Sequence, residues 1–404
     1  MIKIAVLGYG TVGNGVVQVI EKNRETIHKK AGNELEVKYI LDLRDFPGDP
    51  YEAKVIHDFD VILQDEEVSI LCETMGGVGA AYQFTKAALE KGKSVCTSNK
   101  ELVAKHGPEL LEIAREHACN YLFEASVGGG IPIIRPLNSA LTAERIEAIT
   151  GILNGTTNYM LSKMEKEGAD YDAVLKRAQE KGYAESNPAA DVEGHDACRK
   201  IAILSSLMTG RNVDSEKIYT EGITKITAAD FAYAKAAKKT IKLLAMSRAV
   251  GQDEVLAMVA PAMISMESPL SMVNGVFNAV LVTGNMLGDS MYYGKGAGKF
   301  PTASAVVADV IDCVRHQGEA ITCFWDKEEA KLADVKETVR GFFIRARVSG
   351  RDAVMEAFPG GEFVMVPGRQ EDFGYLTPIM KERDFEARCE ALGDTVLGTI
   401  RLEK

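Results

Sequence analysis

Residues 2–13, Ile2-Lys3-Ile4-Ala5-Val6-Leu7-Gly8-Tyr9-Gly10-Thr11-Val12-Gly13, join an apolar run to a GxGxxG loop. Ile2–Leu7 reads as a nearly continuous strand, the pattern expected when helices cover both faces of a parallel sheet. In the loop, Gly8 permits a tight turn, Gly10 lets the backbone approach a pyrophosphate, and Gly13 allows close helix–strand packing. Val16, Val17, Val19 and Ile20 carry the helix that follows, and its first N–H groups are placed to hold phosphates. A glycine turn with a purely structural role is the competing reading; the strand–turn–helix context favours dinucleotide binding. The later Gly294-Lys295-Gly296-Ala297-Gly298-Lys299 is no P-loop, because Phe300 follows the lysine where Ser or Thr is required.

Further strands at Leu35–Leu41, Val68–Glu73 and Ser94–Thr97 alternate with helical segments such as 80–90, which stops at Lys91-Gly92. That order predicts an α/β fold opening with a Rossmann-type doubly wound parallel sheet. The middle of the chain changes character. Gly128-Gly129-Gly130 and Asn154-Gly155 separate strand candidates at 148–153 and 256–260 from helices at 171–181 and 195–209, which predicts an α+β domain. After Gly341 the pattern runs strand 342–348, helix 353–358, strand 362–366, strand 374–380, helix 384–392, strand 396–402. This βαββαβ order describes a small ferredoxin-like unit. The expected domains are 1–130, rejoined by 296–325, then 131–295, then 340–404.

A chain of 404 residues supports two or three domains, and 46% hydrophobic with 26% charged residues excludes a disordered chain. No apolar run approaches the ~20 residues needed to cross a bilayer. The first residues are too short an apolar stretch for a signal peptide. A net charge of −11 without a dense Lys/Arg run argues against nucleic-acid binding. The seven cysteines are scattered without CxxC or Cys/His spacing, so neither a zinc site nor a disulfide framework is expected. A cytoplasmic protein with small-molecule ligands and no membrane partner fits best.

Several polar residues stand where chemistry is served. At the end of the second strand, Asp42 suits a ribose 2′-hydroxyl and NAD, while Arg44 suits a 2′-phosphate and NADP. Asp42 lies further from the loop than the usual ~20 residues, so both cofactors stay open. On the helix after a polar loop, Lys200 shares a face with Ala197, Ile203, Leu204 and Leu207, with Asp196 one turn earlier. A buried ammonium must be paired or lose its proton, and either state serves an acid. The plainer alternative is an i,i+4 pair whose lysine reaches solvent. His195 falls on a more polar side and suits proton transfer less well. Lys100, in Thr97-Ser98-Asn99-Lys100, stands beyond the carboxyl end of a strand, where ligands of open α/β sheets gather.

With these residues in place, the sequence resembles the homoserine dehydrogenases over about residues 1 to 320. The motifs that carry the likeness are GYGTVG, Ser98-Asn99-Lys100, Glu124-Ala125-Ser126-Val127-Gly128-Gly129-Gly130-Ile131-Pro132 and Gly151-Ile152-Leu153-Asn154-Gly155-Thr156-Thr157-Asn158. The stretch 182–200 and Gly296-Ala297-Gly298 with Pro301-Thr302-Ala303-Ser304-Ala305 complete them. The resemblance implies reversible NAD(P)-dependent conversion of L-aspartate 4-semialdehyde to L-homoserine, in threonine and methionine synthesis. It implies Lys200 as proton donor, Lys100 as a cofactor-contacting and catalytic lysine, and Glu185 with Asp191 and Asp196 around the substrate. Gly8, Gly10, Thr11, Val12, Gly13, Arg44, Ser98 and Gly298 fall at cofactor positions. Glu124, Val127, Gly129 and Ile131 match a monovalent-cation (Na+ or K+) site of one carboxylate and backbone carbonyls. A homodimer joined through the middle domain is implied as well. The tail departs from the family pattern: its element order is ACT-like, yet it is short and lacks a Pro-Gly helix opening near Ser349-Gly350-Arg351-Asp352.

Two other readings compete. An aldehyde-oxidising, phosphorylating enzyme on the same framework needs a thiolate, for which Cys96 at a strand end is the best candidate. A non-enzymatic NAD(P)-binding sensor could dispense with Lys200 and Glu185.

Overall fold

The structure, a computed structural model, describes residues 1–251 and 254–403. It forms two compact units, one of Met1–Arg145, Ala202–Ser215 and Tyr292–Ala330, the other of Ile146–Ile201, Glu216–Met291 and the chain from Lys331 onward.

The first unit is built on six parallel strands: β1 (Ile2–Leu7), β2 (Leu35–Leu41), β3 (Val55–Ile56), β4 (Val68–Glu73), β5 (Ser94–Thr97) and β6 (Tyr121–Leu122). Their spatial order is β3-β2-β1-β4-β5-β6, which reverses direction between β1 and β4. Such a reversal leaves a crevice outside the carboxyl ends of the two strands. Helices α1 (Thr11–Lys22), α2 (Arg24–Ala31), α3 (Phe59–Gln64), α4 (Gly79–Glu90) and α5 (Lys100–Glu116) lie in the connections. Ile4 and Val6 pack with Val16, Val17 and Ile20 of α1 and with Val306 and Val310 of the helix Lys299–Arg315. Because helices cover the strands, β1 buries its residues on both faces, as its unbroken apolar run predicts.

The second unit carries a mixed sheet whose main path runs Gly288–Lys295, Phe277–Gly284, Ile146–Ile152, Lys239–Val250, Glu254–Ser265, Val396–Glu403, Phe342–Arg347, Asp372–Leu376, Glu362–Val364. A long hairpin forms its centre, in register from Lys239 opposite Ser265 to Val250 opposite Glu254. The C-terminal segment runs strand Phe342–Arg347, helix Arg351–Ala357, strands Glu362–Val364 and Asp372–Leu376, helix Glu382–Leu392 and strand Val396–Glu403, with one strand beyond the expected order, the two-residue Met380–Lys381. Its own core joins Phe342, Ile344, Phe358, Phe373 and Phe385, with the Phe342 and Phe385 rings stacked at 3.8 Å. The sequence reading sets 340–404 apart as a domain; here its last strand extends the larger sheet, Ala262 to Ile264 pairing in parallel with Arg401 to Glu403.

Candidate active site

The glycine loop meets the requirements read from it. Gly8 has φ +88°, reserved for glycine in practice. A Cβ on Gly13 would lie 1.9 Å from the Gly8 carbonyl oxygen, so only glycine lets α1 approach β1 this closely. Around Gly10, at the N-cap of α1, a Cβ would meet nothing within 4 Å, leaving open space in front of the helix N-terminus. Thr11 and Val12 are the first residues of that helix, and its unpaired N–H groups suit a pyrophosphate. Gly298 caps the helix Lys299–Arg315 with φ +123°.

Asp42, just past β2, accepts the Tyr9 N–H at 2.8 Å. It also binds Arg44 as a fork, Nε at 2.9 Å and the terminal nitrogen at 3.0 Å. The Arg44 guanidinium holds the Asp42 carboxyl down at about 2. Arg44 itself stays 64% exposed along its side chain, a cation presented at the end of β2.

At the ends of β4 and β5, Ser98 donates its N–H to the Glu73 carbonyl. Asn99 caps α5 by accepting the Leu102 N–H, which makes Lys100 the first helical residue. Cys96 is fully buried with its sulfur 3.5 Å from that of Cys313, and burial raises its thiol well above the ordinary value. A thiolate nucleophile at Cys96 is therefore unsupported.

Glu124 is buried, and its two oxygens accept N–H groups from Ile133, Ile134 and Arg135 at 2.6 to 3.0 Å. Its own N–H donates to Asp309. A carboxylate offers about four lone-pair positions, and these three bonds occupy three of them. Gly128 and Gly129 turn the loop of Val127, Gly129 and Ile131 with positive φ. Among the described residues no group of three or more His, Cys, Asp or Glu is placed to hold a metal ion.

In the second unit, Lys200 and Asp196 are buried one turn apart on the helix His195–Thr209. Lys200 Nζ donates to an Asp196 oxygen at 2.6 Å and to the Leu153 carbonyl at 2.8 Å. The lysine turns inward, with about a tenth of its side chain exposed. Asn154 donates from one amide nitrogen to Asp191 at 2.7 Å and Asp196 at 2.9 Å. Its oxygen caps the helix Gly155–Glu167 by accepting the Thr157 N–H. One asparagine thus spaces two carboxylates that would otherwise repel. Sequence reading gave Asn154 only a turn, although an Asn before Gly-Thr-Thr is also an N-cap signal. Glu185 is exposed on the loop whose Tyr183 carbonyl accepts the Thr156 hydroxyl at 2.6 Å. His195 is exposed, with Glu193 3.2 Å away.

A parallel sheet with this strand order and glycine loop defines the class of dinucleotide-binding α/β proteins. Comparison with known proteins narrows the class. Residues 8–124 match the NAD binding domain of homoserine dehydrogenase, and residues 132–311 match the homoserine dehydrogenase model. A homoserine dehydrogenase from Synechocystis is 47% identical over 322 residues, covering 78% of this chain and 73% of its own. A crystal structure of a homoserine dehydrogenase from Thiobacillus denitrificans covers 100% of this chain and 98% of its own, with TM-score 0.90 and 35% identity. A hyperthermophilic archaeal homoserine dehydrogenase in complex with NADPH covers 78% of this chain and 98% of its own, with TM-score 0.66 and 28% identity. The chain belongs to the homoserine dehydrogenase family, NAD(P)-dependent enzymes that interconvert L-aspartate 4-semialdehyde and L-homoserine. The sensor reading falls with that membership. Among the described residues no helix is long and apolar enough to cross a membrane.

Proposed function

We propose that Lys200 is the general acid of this reaction in the reducing direction and the general base in reverse. The observation that carries the reading is its burial with two fixed acceptors, Asp196 and the Leu153 carbonyl. Nicotinamide, when bound, supplies or accepts the hydride. Lys200 would give a proton from Nζ to the oxygen that becomes the alcohol, and its remaining N–H groups would stabilise charge developing there. Asp196 holds the ammonium in place. Glu185 and Asp191 would take the substrate ammonium, and that clamp fixes the reacting carbon. Lys100 would contact the cofactor from the start of α5. Gly8, Gly10, Thr11, Val12, Gly13, Ser98 and Gly298 would line the dinucleotide, with Arg44 on an adenosine 2′-phosphate or Asp42 on a 2′-hydroxyl. The test is Lys200→Met: turnover should fall by ~10²–10⁴ with cofactor affinity kept, and near-native turnover would refute the role.

The remaining acceptor direction of Glu124 and the carbonyls of Val127, Gly129 and Ile131 suit one Na+ or K+. The edge strand Gly288–Lys295 with exposed Met286, Leu287 and Met291 supports a homodimer through this region. Four strands in the order Val396–Glu403, Phe342–Arg347, Asp372–Leu376, Glu362–Val364 support an ACT-like reading of the tail. Seven thiols with no disulfide suit a reducing, cytoplasmic setting.

A further inference from the structure

We infer that Glu73 is a positioning residue for the dinucleotide, its ionised carboxylate joining the loop after β4 to the loop after β5 so that both keep the shape the cofactor needs. The inference rests on the reading of the first unit as the cofactor holder, and extends it to a residue outside the glycine loop.

Glu73 ends β4 beside the topological reversal and is completely buried. One oxygen accepts the Met75 N–H at 2.8 Å; the other accepts the Thr97 hydroxyl at 2.5 Å. Thr97 in turn accepts the Asn99 N–H at 2.9 Å, and Asn99 donates to the Gly77 carbonyl at 2.7 Å. The Met75 N–H, the Thr97 hydroxyl and the Asn99 N–H donate toward the acid, and the Asn99 side chain donates onward to the loop after β4. An ionised carboxylate accepts on both sides and leaves Thr97 as the donor, whereas an amide accepts on one side and must reverse the Thr97 bond on the other. The residues it fixes adjoin the glycine loop and the start of α5. Thr74 donates to the Gly8 carbonyl at 2.8 Å, and the Met75 side chain is so close that a Cβ on Gly8 would meet it at 3.0 Å. On the other side Asn99 sets the first turn of α5 and with it Lys100.

Burial raises the Glu73 carboxyl to about 7, against the lowering pull of Thr97, Met75 and Asn99. The titratable group facing it is the Tyr121 phenol of β6, whose buried hydroxyl has no hydrogen-bond partner and whose ionisation burial pushes far upward. Tyr121 therefore stays neutral while Glu73 titrates. Protonation turns one acceptor into a donor, so the Thr97 hydroxyl must give up the bond it donates and turn to accept from Glu73 beside the Asn99 N–H. Both loops loosen.

NADPH titrated into the protein without substrate, followed by its fluorescence, tests this directly. In the wild type the affinity should weaken as pH falls from about 8 to about 6. Glu73→Gln should bind roughly tenfold more weakly at the higher pH and lose the pH-dependent step. Thr97→Ser, which keeps the hydroxyl, should retain wild-type affinity, whereas Thr97→Val should resemble Glu73→Gln. Affinities and pH profiles in Glu73→Gln and Thr97→Val equal to the wild type would overturn the inference alone. A wild type that binds no NADPH would remove the cofactor reading along with it.

Discussion

The Lys200 ammonium lies 2.8 Å from the carbonyl oxygen of Leu153, a backbone group whose position the strand Ile146–Ile152 sets. A carbonyl cannot be protonated or swing aside, so it aims the lysine at any pH. Lys200→Arg keeps the charge but places a planar fork that does not give up a proton. Turnover should drop by ~10²–10⁴ while NADPH affinity, read by fluorescence, is unchanged.

Asn154 separates Asp191 from Asp196 by donating to both. Asn154→Asp preserves the helix cap but gathers three carboxylates, of which one is bonded to Lys200. Like charges at such range raise each other's pKa and cost stability when ionised. Urea unfolding should show a variant near wild type at acid pH and progressively weaker above about pH 5.

Removing Arg44 should alter cofactor choice. Its guanidinium occupies both oxygens of Asp42. In Arg44→Ala those oxygens become available to a ribose 2′-hydroxyl, and the cation for a 2′-phosphate is gone. The ratio of kcat/KM for NADP over NAD should fall by about tenfold or more. An unchanged ratio would show that neither residue meets the ribose.

Gly13→Ala should cost roughly 3 kcal/mol or more, because overpacking here is against backbone and not a movable side chain. The new methyl would sit 1.9 Å from the Gly8 carbonyl oxygen. Thermal unfolding and NADPH binding should fail together, since the same displacement parts α1 from β1.

The ionisation of Glu73 makes a stability prediction independent of ligand. Its ordinary value is 4.5, and in the fold it is raised to about 7. Between these the unfolded chain has released its proton and the native state has not. Stability from this group is therefore full below about pH 4.5, declines up to about pH 7 and is level beyond, a loss of about 3 kcal/mol. Glu73→Gln has no such decline, so the gap between the variants in urea should close or invert as pH rises. The protonated form favours the fold and the ionised form favours the loops.

How much could be read in advance depended on whether the signal was local. Residues 2–13 contain strand, loop and helix start in sequence, and the fold follows them closely. Asp196 and Lys200 could be paired because one helical turn joins them. Val55–Ile56 and Tyr121–Leu122 are strands of two residues each, made by neighbours in the sheet and not by any pattern of their own. The strand Lys239–Val250 was hidden by Lys242, a fully buried lysine held by the Val273 carbonyl at 2.7 Å and Asn274 at 2.8 Å. Burial lowers that lysine to about 8. The side-chain partners of Glu73, Thr97 and Asn154 are illegible in the sequence for the same reason: they come from other segments of the chain, which only the folded state brings near.

The parallel pairing of Ala262–Met263–Ile264 with Arg401–Leu402–Glu403 has a practical consequence for anyone trimming the tail. Shortening the protein at about residue 340 would strip the cover from an otherwise satisfied ladder, baring amide and carbonyl groups on an apolar ribbon. Such a fragment is more apt to stick to its own kind than to show what the rest of the chain does alone, and clumping on expression would say nothing about the role of the tail.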